Sequence, residues 1–125
     1  MVIDTSAVIS LFRGLASAGE CFNAAREVWM PVTVLGELHC GLRKCGCPVK
    51  ESLRIAELRD RCLLIPIDEE TAMQYARVHG DLERAGAMIP INDLWIAALA
   101  MRHGLPLLAK DDHFSRVDGL DFVAL

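Results

Sequence analysis

The sequence predicts an α/β domain with a mostly parallel central sheet, and three observations predict it. Short apolar runs of strand length, at Val2-Ile3, Met30 to Val34, Leu63 to Ile67, Leu107 to Ala109 and 121–124, recur between longer stretches of helical character. Most of these runs are apolar throughout rather than alternating, as strands covered on both faces are. The chain has 125 residues, 53% of them apolar. That is material for one domain, residues 1–125, with a core that needs no covalent staple.

The elements follow in order. Val2-Ile3 reads as a buried strand, and Asp4-Thr5-Ser6 behind it is a helix-start signal for a helix over 6–12. A second helix is expected over about 17–28. The apolar run Met30 to Val34 leads into a helix from about 34 to 45, which Gly46 and Pro48 end. A helix over 49–62 carries Leu53, Ile55, Leu58 and Cys62 among charges. Leu63 to Ile67 is strand-like, and Pro66 marks it as an edge. Asp68-Glu69-Glu70 opens a long helix to about 84, with acids where the helix dipole favours them. In that helix Met73, Tyr75, Ala76 and Leu82 are read as core. Asn92 or Asp93 starts a helix through His103, closed by Gly104. Leu107 to Ala109 is a strand, 112–117 a short turn, and 121–124 a last strand.

Composition narrows the function. Apolar content this high excludes a disordered tail. The net charge of -4 gives no overall attraction for nucleic acid, and seven aromatics are too few for an extended base-stacking platform. A polyanion partner therefore requires a local basic patch or bound cations. No apolar run approaches membrane-spanning length. The five cysteines are an odd number, and the N-terminus carries an acid where a secretory segment carries basic charge, so a reduced, cytoplasmic chain is expected. Neither a dinucleotide-binding glycine pattern nor a P-loop occurs.

Ligand sites of open α/β sheets lie beyond the carboxyl ends of the strands. The polar residues at those junctions are mostly acids: Asp4, Glu37, Asp93 and Asp111. Singly, each has an ordinary explanation, as a helix cap or a solvated surface acid. Jointly they point elsewhere. Carboxylates converging in a partly dry cleft repel, and take up protons unless a cation holds them ionised. An all-oxygen set suits Mg2+ or Mn2+, which can generate hydroxide and neutralise a leaving phosphate oxygen.

Four segments carry a resemblance: Val2-Ile3-Asp4-Thr5-Ser6-Ala7; Pro31-Val32-Thr33 through Gly36-Glu37-Leu38; Ile89-Pro90-Ile91-Asn92-Asp93-Leu94-Trp95-Ile96-Ala97-Ala98; and Leu107-Leu108-Ala109-Lys110-Asp111-Asp112-His113-Phe114-Ser115-Arg116-Val117 with Gly119-Leu120. In this order and spacing the chain resembles the PIN-domain ribonucleases, specifically VapC-type toxins of type II toxin–antitoxin systems. The resemblance implies a three-layer α/β/α fold and metal-dependent endonucleolytic cleavage of RNA by water. It implies Asp4 and Asp93 as principal metal ligands, Glu37 as the second acid, and Asp111 as the fourth, with Asp112 the alternative. Thr5, Ser6 and Asn92 match positions that steady those ligands. Ala109 departs from the family, which usually has Thr or Ser there. A cognate antitoxin and a homodimer are also implied.

Other features are weighed beside these. His39, Cys40, Cys45 and Cys47 have zinc-type donors, but the spacing fits no familiar zinc motif, and Cys40 is expected to pack inward. His79, His103 and His113 lack partners at a diagnostic spacing. The stretch holding Arg43, Lys44, Lys50, Arg54, Arg59 and Arg61 carries a net +3 and reads either as an RNA-facing surface or, more simply, as ordinary helix faces. Arg13, Arg43, Lys44 and Arg84 are the RNA-contact candidates. Rival functions are a catalytically silent RNA- or protein-binding PIN-like module and a phosphohydrolase using Asp4 as nucleophile. The second rival needs an acid where Ser6 stands.

Overall fold

A computed structural model describes residues 1–125. The elements are β1 (Val2–Ile3), α1 (Thr5–Phe12), α2 (Ala16–Ala24), β2 (Trp29–Pro31), α3 (Val32–Lys44), α4 (Val49–Asp60), β3 (Leu63–Ile65), α5 (Glu69–Arg84), α6 (Ile91–His103), β4 (Leu107–Ala109) and β5 (Phe122–Ala124), with a short 3-10 turn at Asp112–Arg116. The strands form one sheet in the order β3-β2-β1-β4-β5, parallel at every pairing. Val2 pairs with Trp29 on one side and Leu107 on the other, which makes β1 the central strand.

Successive strand residues point to opposite faces. Val2 and Ile3 are both buried, as are all three residues of β4, so helices cover the sheet on both sides. Leu63 and Leu64 of β3 are exposed, which is what an edge strand permits. The strand stops at Ile65 because Pro66 has no N–H to donate to a ladder. The core runs through Met30, Val34, Leu94, Ile96, Leu99 and Phe114. No helix is long and apolar enough to cross a membrane.

Several boundaries and one face differ from the sequence expectation. The run Met30 to Val34 divides, with strand to Pro31 and helix from Val32. Pro31, with φ -59°, sets the entry to α3, and Val34 and Leu38, four residues apart, turn into the core. Helix α2 ends at Ala24, since Val28 is already buried and accepts a backbone hydrogen bond from Leu63 in the sheet. On α5 the buried side chains are Thr71, Val78 and Leu82, while Met73 and Ala76 face outward. Met73 is 69% exposed; the apolar residues of α5 do not all lie on one stripe, and packing against α6 chose Val78 and Leu82.

Candidate active site

The carboxyl ends of β1 and β4, the first turns of α1 and α6 and the face of α3 from Glu37 to Lys44 meet at one end of the sheet. There a cleft of about 500 Å³ is lined by Asp4, Glu37, Asp93 and Asp111, together with Thr5, Ser6, Asn92 and Lys44. Residues as far apart in sequence as 4 and 111 thus share one concavity. Ile9, Cys40 and Gly41 complete the lining.

Asp4 is a cap: its Oδ2 accepts from the Ser6 N–H at 2.9 Å and from the Ser6 hydroxyl at 2.5 Å. Its other oxygen, Oδ1, is buried with no partner, and a cap leaves that atom unexplained. Asp93 is not a cap, because α6 begins at Ile91 with Pro90 in the cap position. Asp111 stands at the N-cap of the 3-10 turn but makes no capping bond. Glu37 does not simply face water: Thr5 Oγ1 donates to one of its oxygens, and Asn92 Nδ2 donates to the other at 2.8 Å. The neighbouring Asp112 lies outside the cleft lining, its carbonyl accepting from Ser115 Oγ at 2.6 Å.

Charge accumulates here. Burial pushes the Asp4 carboxyl above its ordinary 3.8 against the hydrogen bonds from Ser6 and the nearby Thr5 backbone, and the charge of Asp111 pushes the same way as burial. Burial and then the Asp4 charge drive Asp93 up to about 6; His113 opposes this and Glu37 adds to it. His113 Nε2 lies 2.7 Å from Asp93 Oδ2, close enough to draw the carboxyl back toward its ionised form. The acids face one another across the cleft instead of closing into a preformed cage of three or more ligands. A cleft that sets buried Asp4 and part-buried Glu37 and Asp93 against each other's charge, with exposed Asp111 at its edge, is a candidate site for a divalent cation.

Of the four basic candidates, the structure brings only Lys44 to the cleft wall. Arg13 is exposed beyond the last turn of α1, Arg43 is exposed on α3, and Arg84 pairs with Asp81 on the surface of α5. The other arginines of the basic stretch have structural partners. Arg54 bonds the Phe12 carbonyl and lies over the Phe12 ring at 4.6 Å, and Arg61 lies over the Phe22 ring at 4.5 Å. That favours the ordinary reading of this stretch. Cys40 is exposed on the cleft rather than packed inward, and Cys45 and Cys47 are exposed too.

The sequence reading missed the α3 wall and underweighted His113. Positions 37, 40, 41 and 44 recur at helical spacing, and this signal identifies one face of α3 once Glu37 is placed. The His113–Asp93 approach joins two segments through the 3-10 turn, and no spacing rule reports it.

The chain matches the PIN domain family over residues 1–120. It is 33% identical over 120 residues to Ribonuclease VapC5 of Mycobacterium tuberculosis, a match covering 94% of this chain and 87% of that protein. Among solved structures it is similar to DNA-bound VapBC from Salmonella typhimurium, with a TM-score of 0.89, 21% identity and coverage of 98% of this chain and 96% of that one. A member of the VapBC family of toxin–antitoxin systems, VapBC-5 from Mycobacterium tuberculosis, matches with a TM-score of 0.75 and 26% identity, covering 99% and 97% of the two chains.

Proposed function

Because this chain belongs to the PIN-domain family, we propose that it is a divalent-metal-dependent endoribonuclease of VapC type, the toxin of a toxin–antitoxin pair. The observation that carries the reading is the meeting of Asp4, Glu37, Asp93 and Asp111 in one cleft, with Asp4 Oδ1 buried and unpartnered. Asp4, Glu37, Asp93 and Asp111 are the residues that hold the cation, Mg2+ or Mn2+. When bound there, such a cation would activate water as the nucleophile near neutral pH and neutralise charge on the phosphate being cut.

The chain's own residues prepare that chemistry. Ser6 donates a hydrogen bond from its hydroxyl to Asp4 and accepts one from the Lys110 N–H at 2.9 Å, so it ties the end of β1 to the segment after β4. Thr5 and Asn92 fix both oxygens of Glu37 from two different helices. Both hydroxyls are committed to carboxylates as hydrogen-bond donors that steady the acids, in keeping with water as the attacking group. Burial and then the neighbouring Asp4 charge hold Asp93 above its ordinary value, and a bound cation would favour its ionised form.

Partners follow the same reading: RNA as substrate, a cognate antitoxin and a second copy of the chain. Exposed apolar side chains at Val49, Leu53, Met73 and Ile91 offer material for protein contacts. Incubation of the purified protein with total bacterial RNA tests the activity. Mn2+ or Mg2+ is expected to produce discrete fragments and a chelator to stop them. A clean preparation that cuts no RNA under any divalent cation leaves a binding module in place of the enzyme.

A further inference from the structure

We propose that the substrate strand runs along the exposed face of α3, over Gly41, and that Lys44 holds a backbone phosphate beyond the one that is cut. This rests on the ribonuclease reading above and adds the direction of the strand to it.

Helix α3 presents Glu37, Cys40, Gly41 and Lys44 to the cleft. The face begins at a site acid bonded by Thr5 and Asn92 and ends at a cation. Seven residues of helix separate Glu37 from Lys44, about 10 Å along the axis, so the Lys44 ammonium meets a different phosphate from the one beside the acids. Lys44 is the single basic side chain in the lining of a cleft whose charges are otherwise negative. It is exposed and makes no ion pair or hydrogen bond through its ammonium, unlike Arg54, Arg61, Arg84 and Arg102. A solvated cation at the end of an acidic cleft has no structural duty there, and phosphate recognition gives it one.

Gly41 supplies the second, independent observation. It lies inside α3, where glycine is a poor helix former. No backbone requirement accounts for it: its φ is not positive, and a Cβ built there meets nothing within 4 Å. Alanine would fit the fold and favour the helix. What glycine provides is open room on the cleft wall, midway between the acid and the cation, for a strand to pass close to the helix.

The test uses full-length protein with Mn2+ and total bacterial RNA, comparing wild type with K44A, K44R, G41A and G41L, and following thermal unfolding of each. K44A is expected to raise the half-saturating RNA concentration about tenfold, as the loss of one charged contact does, with the saturated rate kept. K44R restores it. The salt dependence of binding, read by anisotropy of a labelled single-stranded RNA, flattens by about 0.7 in the log–log slope for K44A, which a merely structural lysine does not produce. G41A and G41L unfold at or above the wild-type temperature, and G41L binds RNA at least as poorly as K44A. Wild-type cutting with unchanged half-saturation in both K44A and G41L overturns the strand path and leaves the ribonuclease standing. A wild type that neither cuts nor binds RNA overturns both.

Discussion

Two clefts of about 500 Å³ each open at opposite ends of the sheet, and size is nearly all they share. The one at the amino ends of the strands is lined by Met1, Ala24, Trp29, Leu105 and Pro106 among others, and six of its nine lining residues are hydrophobic. At the carboxyl ends only two of eleven are, and four are acids. Strand polarity explains the difference. In an all-parallel sheet every strand delivers the chain to the same end, where it turns into helix N-termini with their polar caps and free N–H groups. At the other end helices finish, as α6 does at His103 and Gly104, and the returning chain is covered with apolar residues. Volume therefore does not identify the site; the direction of the strands does.

The largest expected effect separates the two ends. Asp93→Asn removes an acid that caps no helix, so the fold survives while cleavage falls at least about a thousandfold, in line with the several kcal/mol a bound metal contributes. Fragment yield and circular dichroism on the same sample check this. Near-wild-type cutting by a folded D93N protein ends the assignment of chemistry to the carboxyl end.

A smaller effect sharpens the site itself. Asn92→Ala or Thr5→Val leaves each acid in place and frees one oxygen of Glu37. Divalent-cation affinity, measured by calorimetry, is expected to weaken by about 10- to 100-fold, and the two together by less than the product, since both steady one carboxylate.

The amino-end cleft predicts the reverse pattern. Trp29 is half-buried and stacks on His103, ring centroids 6.2 Å apart. Trp29→Ala is expected to lower stability by about 2 kcal/mol, below the cost of a fully buried tryptophan, while the rate per folded molecule stays the same. Urea unfolding and cleavage read both quantities. A W29A protein that loses activity without losing stability would join the two ends functionally and break the contrast.

These contrasts also show how far the sequence could be read. Strand positions and the long α5 were legible because prolines, glycines and first-turn acids punctuate them: Asp68 accepts from Thr71 N at 2.8 Å as its place in the sequence implies, and Gly104 takes the left-handed conformation at φ 61°. The start of α3 was not, because Val32-Thr33-Val34 is β-branched and reads as strand, and only burial of Val34 and Leu38 on one helical face decides otherwise. The four acids were legible as junction residues. Their common cleft rests on the β3-β2-β1-β4-β5 order, which brings β1 between β2 and β4. The approach of His113 to Asp93 was not legible, since it depends on the path of a 3-10 turn and not on any local propensity.

The smallest effect is a dependence on pH in metal-free protein. Asp93 in the folded chain is raised to about 6 from 3.8, so the native state binds that proton more tightly than the unfolded chain does. The stabilisation is complete below pH 3.8 and disappears as pH rises through about 6; Asp4, raised by burial, acts in the same sense. In chelator, then, wild type should lose stability relative to D93N between pH 5 and pH 7.5. Asp93 keeps some contact with solvent at the open cleft, and screening there limits the difference to about 1 kcal/mol. Added Mn2+ binds the folded state and reverses the order at pH 7.5. Unfolding curves of the two proteins that stay parallel across that range would mean that the acids do not feel one another, and the acidic end would then be no more charged in effect than the apolar one.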